Sequence, residues 1–243
     1  MAQLRLDKIL ASTGRWSRRE VKQLVKMGRV FLNGAAAASA DCKCDPETTT
    51  ILVDGQPLTY STYHYIMLHK PAGVLSATED RRAETVLDLL PPELRKLELF
   101  PVGRLDKDTE GLLLLTDDGA LAHCLLSPKR HVDKVYHVRV QGCLREADCT
   151  AFAQGICLED GLQCLPARLE LLSTGPESEA LVTLREGKFH QVKRMLASRG
   201  TPVLYLKRLS MGPLRLDSGL ERGKWRYLTK NEEEALCAYK CTL

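Results

Sequence analysis

The sequence predicts an α+β fold in two parts, a small N-terminal module and a larger second domain. The chain has 243 residues, enough for a small domain followed by a medium one. Apolar residues at helical spacing near the front are followed by short apolar runs that end in Asn-Gly or Asp-Gly. Longer apolar runs begin after residue 61. We therefore expect domains at residues 1–60 and 61–243, joined by a linker at residues 59–62.

The composition is typical of a globular protein, with 44% hydrophobic and 27% charged residues. No uncharged apolar stretch of about 18 residues could span a membrane. The charged start of the chain has no apolar signal core. We expect a cytoplasmic protein without a membrane partner.

The nine cysteines include no C-x2-C pair, so the sequence does not favour a structural zinc site. In a reducing compartment all of them can be thiols. We expect most of them to be small, buried, apolar side chains.

The positive charge is clustered in two segments, although the net charge is only +4. Residues 1–30 hold eight Lys/Arg and two Asp/Glu, and residues 185–230 hold twelve and three. Such clustering is typical of proteins that bind a polyanion, because each neutralised phosphate releases counterions. A solvated helix face is the alternative for either cluster alone.

Two helices are predicted at the front. Leu6, Ile9 and Leu10 have the spacing of one apolar helix stripe. The second helix begins with a capping-box pattern, Ser17-Arg18-Arg19-Glu20, and Gly28 suits its left-handed C-terminal position. Its apolar stripe comprises Val21, Leu24 and Val25. Its basic residues need not enter that stripe, so they can form a positive face: Arg18, Arg19, Lys22 and Lys26.

Two β-hairpins follow these helices. Val30–Leu32 precedes Asn33-Gly34, and Ile51–Val53 precedes Asp54-Gly55; both dipeptides tolerate positive φ. Two short helices followed by hairpins, with basic residues on the second helix, resemble the S4 RNA-binding domain, which has an αL-like arrangement. The resemblance covers about the first 60 residues and implies RNA binding without implying any chemistry.

The second domain contains a dense charged loop between predicted buried strands. Tyr65–Leu68 and Leu112–Leu115 are apolar runs typical of buried strands, and residues 85–90 predict a short helix ended by two prolines. The loop from Arg104 to Glu110 lies where catalytic groups are often found. By itself it could equally be a solvated loop, or could hold an acid/base pair of Asp106 and Asp108.

Two later segments carry further candidate residues. Lys134–Val140 alternates as a strand, which places Lys134 and Tyr136 on one face. Glu186–Leu196 predicts a helix whose buried stripe is Val192, Met195 and Leu196, leaving Gln191, Lys193 and Arg194 partly free.

Four motifs in this order resemble the ribosomal RNA pseudouridine synthases that carry an N-terminal S4 domain. The motifs are Lys70-Pro71-Ala72-Gly73, Gly103–Asp106 with Thr109–Leu113, Lys134-Val135-Tyr136 and Glu186–Met195. The resemblance covers the whole chain. It implies a catalytic domain with a mixed, largely antiparallel sheet, an isomerase that turns uridine into pseudouridine, and no metal, nucleotide or redox cofactor.

The resemblance assigns roles to four residues. Asp106 matches the catalytic aspartate, and Arg104 matches an arginine near the place that the base vacates. Tyr136 matches the tyrosine that packs on the uracil. Lys193 matches the basic residue that pairs with the aspartate and keeps it ionised, although most branches of the family have arginine there.

The run His190–Met195 resembles the small-subunit branch, which acts on uridine 516 of 16S rRNA. A 23S rRNA synthase and a non-catalytic S4-type ribosome-assembly factor are the alternatives. We expect a monomer that acts on rRNA in a pre-ribosomal particle. Contacts with RNA are expected from Arg5, Lys8, Arg15, Arg18, Arg19, Lys22, Lys26 and Arg29 in the first domain, and from Lys70, Lys134, Lys188, His190, Gln191 and Arg194 in the second.

Overall fold

A computed structural model describes residues 3–46, 48–58, 60, 62–127 and 130–242. The chain divides into two compact units. Unit 1 comprises Met1–His64 with Leu90–Leu99, and unit 2 comprises Tyr65–Leu89 with Phe100–Leu243. The predicted domains meet between residues 60 and 61. The observed units differ in that residues 90–99 also belong to unit 1. Two residues of the predicted linker, Thr59 and Ser61, lie outside the described residues.

Unit 1 contains the two predicted helices and both predicted hairpins. The helices are α1 (Leu6–Ala11) and α2 (Arg18–Lys26). An antiparallel sheet of order β3-β2-β5-β6 comprises β2 (Val30–Leu32), β3 (Ala35–Ala36), β5 (Ile51–Val53) and β6 (Gln56–Pro57). A second, two-stranded sheet pairs β1 (Leu4–Arg5) with β4 (Lys43–Cys44). Apolar residues of α1, α2, β2 and β5 form one core.

The capping box predicted for α2 is present. The Ser17 hydroxyl accepts a hydrogen bond from the Glu20 amide at 3.3 Å, and the Glu20 carboxylate accepts one from the Ser17 amide at 2.6 Å. Both hairpin turns have positive φ at their two central residues, for example 51° at Asn33 and 85° at Gly34. These local predictions are confirmed.

The predicted helix at residues 85–90 is wrong. That segment is a turn in which the Asp88 carboxylate accepts hydrogen bonds from the amide and hydroxyl of Thr85, at 2.8 and 2.9 Å. The amide of Val86 donates to Leu75, so a bridge to another segment replaces helical bonding. A short helix, α3 (Pro92–Arg95), begins only in the residues that join unit 1.

Gly14 shows why residues 90–99 pack within unit 1. A Cβ atom at Gly14 would overlap the carbonyl oxygen of Glu93, and φ at Gly14 is +72°. Only glycine permits this close approach of two backbones.

Unit 2 is built on a nine-stranded mixed sheet with the path β11-β12-β10-β13-β9-β7-β15. β8 pairs with β9, and β14 pairs with β13. The strands are β7 (Tyr65–Lys70), β8 (Phe100–Pro101), β9 (Glu110–Thr116), β10 (Lys134–Gln141), β11 (Arg168–Ser173), β12 (Glu177–Leu184), β13 (Val203–Met211), β14 (Leu214–Arg215) and β15 (Trp225–Tyr227). The pairing of β9 with β13 is parallel and the other pairings are antiparallel, which confirms the predicted mixed, largely antiparallel sheet.

Four helices complete unit 2: α4 (Gly119–Leu126), α5 (Glu146–Gln154), α6 (Gln191–Ala197) and α7 (Lys230–Thr242). Side chains of α4 and α7 join those of β7 and β9 in one buried core. The helix predicted from Glu186 begins only at Gln191, and the preceding residues are a loop. None of the helices in the described part of the chain is long and apolar enough to cross a membrane.

One row of paired residues crosses four strands in the middle of this sheet. Lys70 on β7 pairs with Gly111 on β9, Gly111 pairs with Arg208 on β13, and Arg208 pairs with Tyr136 on β10. Residues paired in this way lie side by side on the sheet. The start of β9, and with it the charged loop that precedes β9, is therefore brought near Tyr136.

The cysteines do not match the expectation that most are buried. Among the eight whose side chains the structure describes, Cys44, Cys124 and Cys164 are buried, and Cys143, Cys157 and Cys237 are exposed. None of these eight forms a disulfide. Within the described residues, no group of three or more His, Cys, Asp or Glu side chains could hold a metal ion.

Gly111 is expected to be essential for the parallel pairing of β9 with β13. A Cβ at this position would overlap the main chain of Arg208, and φ is +110°. We predict that Gly111→Ala lowers the free energy of unfolding by about 3 kcal/mol or more. The control is Gly119→Ala, at the start of α4, where no atom lies within 4 Å of an added Cβ. Urea denaturation of both variants decides the prediction, and similar midpoints would contradict it.

Candidate active site

The loop that carries Asp106, between β8 and β9, is held by the ammonium group of Lys70. Lys70 is the last residue of β7 and is fully buried. Its Nζ donates hydrogen bonds to four main-chain carbonyl oxygens, at 3.0 Å to Pro71, 3.1 Å to Asp106, 3.3 Å to Lys107 and 2.9 Å to Thr109. Four acceptors converge on a group with three hydrogens, so the loop is wrapped around the charge.

Two further contacts fix the main chain on either side of Asp106. The hydroxyl of Ser76 donates to the carbonyl of Leu105 at 2.9 Å and accepts from the amide of Leu105 at 3.1 Å. The amide of Gly73, where φ is +91°, donates to the carbonyl of Lys107 at 2.7 Å. The position of Asp106 is thus set by its neighbours' backbone atoms.

The ammonium of Lys193, on α6, is shared by two carboxylates. It lies 3.2 Å from Oδ2 of Asp106 and 2.5 Å from Oδ1 of Asp108. Burial alone lowers the pKa of Lys193, but its hydrogen bonds to Asp108 and Asp106 outweigh burial and raise the pKa. The hydrogen bond from Lys193 also lowers the pKa of Asp108. The Asp108 side chain is 74% exposed and that of Asp106 is 27% exposed. Asp106 is therefore the more enclosed of the two acids.

His190 approaches Asp106 from the end of the loop that precedes α6. Its Nε2 lies 3.5 Å from Oδ1 of Asp106. His190 has φ of 49°, in the left-handed region, and is the residue before the first turn of α6. Asp106 therefore has a basic side chain near each of its two carboxylate oxygens.

The structure brings the four expected catalytic residues to one small, open pocket. Asp106, Arg104, Tyr136 and Lys193 all line it. Arg104 is exposed, whereas Tyr136 is largely buried. The remaining lining residues are Leu105, Thr109, Leu184, Glu186, Gly187, Lys188, His190, Gln191, Val192 and Leu206. The arrangement offers a carboxylate, a cation and an aromatic ring to a molecule in the pocket.

The predicted RNA contacts of Lys70 and Lys134 are wrong, because both side chains are buried. Lys134 is 7% exposed, and its Nζ donates to the carbonyl of Val132 at 2.9 Å. Burial lowers the pKa of each lysine to about 8, and the nearby Arg208 contributes at Lys134. Both lysines stabilise main-chain geometry from inside the fold.

Direct contact of Gln191 with RNA is also contradicted. Gln191 is 3% exposed, and its amide group is engaged within the protein. Its Oε1 accepts from the amide of Lys188 at 3.0 Å, and its Nε2 donates to Glu186 at 2.5 Å. Gln191 therefore shapes the loop at the pocket rather than reaching out of it.

The basic residues of the second cluster are mostly paired with acids. Seven of the twelve form ion pairs: Arg185, Lys188, Lys193, Arg194, Arg199, Arg222 and Arg226. Arg194, for which an RNA contact was predicted, lies 2.5 Å from Asp160. The ammonium of Lys188 donates to the carbonyl of Gln163 at 2.6 Å. This cluster is therefore less positive than its sequence indicates.

In unit 1, the basic residues predicted to contact RNA are all exposed: Arg5, Lys8, Arg15, Arg18, Arg19, Lys22, Lys26 and Arg29. Arg5, Lys22 and Lys26 line one shallow groove, which also contains Asp41. Arg5 pairs with Asp7 at 2.9 Å, so part of the groove's charge is balanced.

Sequence reasoning missed several residues that shape the pocket. Ser76 holds Leu105, and Leu184 and Leu206 form part of the wall. Thr109 lines the pocket, and its buried hydroxyl has no hydrogen-bond partner among the described residues. A serine or leucine far away in sequence carries no local signal of this role, whereas Thr109 lies within a motif already singled out.

Removal of the Lys70 ammonium is expected to loosen the loop. Lys70→Met keeps most of the apolar stem and leaves four carbonyl oxygens without their donor. We predict a loss of about 3 kcal/mol in the free energy of unfolding at pH 7, measured by urea denaturation. Lys107→Met, which changes an exposed neighbour, is the control and is expected to change stability by less than about 0.5 kcal/mol. Equal effects of the two substitutions would contradict the assigned role.

The pH dependence of stability gives a second test of the role of Lys70, by comparison of wild type with Lys70→Met. The pKa of Lys70 is about 8 in the folded protein and 10.5 by its ordinary value, taken for the unfolded chain. Between these values the unfolded chain binds a proton that the folded chain does not, so stability conferred by Lys70 rises with pH. The difference between wild type and Lys70→Met should therefore grow from pH 7.5 to pH 9.5. An unchanged difference would mean that Lys70 titrates normally.

Comparison with known proteins identifies the relatives of this chain. The family model for RNA pseudouridylate synthase matches residues 64–198, and the model for the S4 domain matches residues 4–47. An uncharacterized RNA pseudouridine synthase of Bacillus subtilis is 48% identical over 230 residues, covering 94% of this chain and 96% of that protein. The ribosomal small subunit pseudouridine synthase A of Vibrio cholerae is 41% identical, covering 94% and 97%.

A solved structure agrees with this relationship. A crystal structure of a pseudouridylate synthase superposes with a TM-score of 0.67 at 36% identity, and the match covers 96% of this chain and 99% of that one. The chain thus has an S4 domain followed by a pseudouridine synthase domain. The chain belongs to the RNA pseudouridylate synthase family, and it is a pseudouridine synthase with an N-terminal S4 domain.

Proposed function

We propose that this pseudouridine synthase acts on 16S rRNA at uridine 516, with Asp106 as its catalytic carboxylate. The observation that carries the proposal is the meeting of Asp106, Tyr136 and Lys193, from three distant segments, at one pocket. The name of the Vibrio cholerae relative refers to the small ribosomal subunit, and the run His190–Met195 supports the same branch.

The chemistry assigned to Asp106 depends on its being ionised. The reaction breaks the bond between uridine C1′ and N1, turns the base over, and rejoins it through C5. A carboxylate can form and release an ester at C1′, or it can abstract a proton on a glycal-like route. The ammonium of Lys193 lies 3.2 Å from Oδ2 of Asp106, where it can hold the reacting carboxylate in position on either route.

The positions of Tyr136 and Arg104 in the pocket support the roles that we propose for them. A uridine must leave its stack before its glycosidic bond can be reached. In the proposed mechanism Tyr136, largely buried in the pocket wall, packs on the extruded uracil and assists proton removal at C5. Arg104 is exposed at the rim, where its planar guanidinium can stack in the position that the base has vacated.

The proposed setting is the cytoplasm, where the chain acts as a monomer on rRNA in a pre-ribosomal particle. The alternatives are a 23S rRNA target and a ribosome-assembly role without catalysis. Mapping pseudouridines in both rRNAs, from cells with and without this protein, separates the three. Loss of pseudouridine from 16S rRNA at uridine 516 is expected. Loss from 23S rRNA, or no loss from either, would replace the proposal with the corresponding alternative.

Substitution of the two acids that share Lys193 tests which one is catalytic. We predict that Asp106→Asn abolishes pseudouridine formation, because the amide can neither attack C1′ nor accept a proton, while RNA binding remains within about threefold. Asp108→Asn removes the same charge and the other Lys193 contact. It should retain activity within about tenfold of wild type.

Both variants are assayed for pseudouridine formation in the RNA and for RNA affinity under the same salt conditions. If Asp106→Asn forms pseudouridine at the normal rate, the assignment of Asp106 is wrong. If only Asp108→Asn is inactive, the exposed acid is the catalytic one.

The positive face of α2 is proposed to bind RNA phosphates. Neutralising it in Arg18→Gln/Arg19→Gln/Lys22→Gln should weaken RNA binding and flatten the plot of log affinity against log salt. Each lost single-strand phosphate contact reduces the slope by about 0.7, so the triple change should reduce it by about 2. The control is the exposed set Arg139→Gln/Arg168→Gln/Arg215→Gln in unit 2, which removes the same charge. Identical slopes for the two triple variants would show that α2 has no specific role.

A further inference from the structure

Phe189 is an aromatic residue that the fold leaves in solvent beside the pocket. Its side chain is 75% exposed, more than any other large hydrophobic residue among those that the structure describes. It lies in the loop between β12 and α6, next to His190. The proposed catalytic roles make no use of it.

The ring of Phe189 is held in place on one face only. It stacks on the imidazole of His190, with ring centroids 3.8 Å apart and planes inclined by 18°. His190 in turn is fixed by its left-handed backbone at the start of α6 and by its contact with Asp106 at 3.5 Å. The covered face of Phe189 therefore points toward the site, and the other face is open to solvent.

This placement differs from that of an ordinary exposed apolar residue. Single apolar side chains on a surface are common and need no explanation. An oriented ring with one free face, next to a pocket that receives an extruded base, is instead suited to stacking on another planar group. The nearby cations Lys188, Lys193 and Arg194 are engaged with acids of the protein, so an open aromatic face is the feature of this loop most available to a nucleic-acid strand.

We propose that Phe189 is a stacking platform for a nucleobase that flanks the target uridine. The target base itself must enter the pocket, where Tyr136 and Asp106 lie. Phe189 is on the outer side of His190, so the base that can reach it is a neighbour in the RNA strand. The stack holds the strand in the strained conformation that base extrusion requires. This inference rests on the proposed function and adds a substrate-positioning residue to it.

The first test compares variants of Phe189 in the full chain, on a fragment of 16S rRNA that contains uridine 516 and its neighbours. Phe189→Ala and Phe189→Leu should lower kcat/KM by about 10- to 100-fold, the value of one aromatic stack, chiefly through KM. Phe189→Trp should keep wild-type activity. Leu172→Ala, a truncation of a residue that is 55% exposed on β11, is the control and should have no effect.

A second test identifies the partner of the ring. RNA fragments with an abasic site on the 5′ or the 3′ side of the target uridine are assayed with wild type and with Phe189→Ala. Loss of the base that stacks on Phe189 should reduce wild-type activity by the same factor as Phe189→Ala, and should cost that variant nothing further. Independent, multiplicative effects at both positions would overturn the proposal.

A third measurement does not depend on the identity of the target. The fluorescence of Phe189→Trp is followed during titration with a single-stranded oligomer of uridine, and the change in wild type, which has two tryptophans, is subtracted. Quenching of the added tryptophan is expected. If wild type is inactive on 16S rRNA but quenching occurs, the proposed target fails and the platform stands. If wild type is active but Phe189→Ala equals it and quenching is absent, the platform alone is wrong.

Discussion

The buried ammonium group of Lys70 determines the course of the loop that carries Asp106. Lys70 is a fully buried lysine at the end of a strand, and its lowered pKa reflects the cost of that burial. The cost is offset because four carbonyl oxygens of the loop replace water around the charge. The main chain of the loop thus surrounds the ammonium group of Lys70. The side chain of Asp106 points from this loop toward Lys193 and His190.

The sheet supplies the second half of the site, and it does so through one close backbone contact. Gly111 lets β9 lie against β13 in parallel, and β13 lies against β10 with Tyr136. Tyr136, about 30 positions after Asp106, thereby reaches the same pocket, and Lys193 joins it from α6. The proposed catalytic group is assembled from a loop, a strand and a helix, and each is fixed by main-chain geometry rather than by the reactive side chains.

Local sequence patterns correctly predicted those features of the fold that depend on residues close together in the chain. The capping box of α2, both hairpin turns and the buried strands β7 and β9 are present as expected, because their causes lie within a few residues. The burial of Lys70, Lys134 and Gln191 could not be inferred this way, since it depends on segments brought together by the sheet. The same reason explains why residues 85–90 form a turn: a bridge to Leu75 outweighs a weak helical pattern. The family resemblance indicated which residues form the site, and the structure shows which of them face solvent.

The ion pairs that cover the second basic cluster bear on how RNA is released. A phosphate that recruits Arg194 must displace Asp160, so the protein exchanges one anion for another and gains little net attraction. The ion-paired residues of this cluster therefore add less attraction for RNA than their number in the sequence indicates. The product of this enzyme differs from its substrate only in the linkage of one base. Strong electrostatic binding would therefore retain product as tightly as substrate and slow turnover.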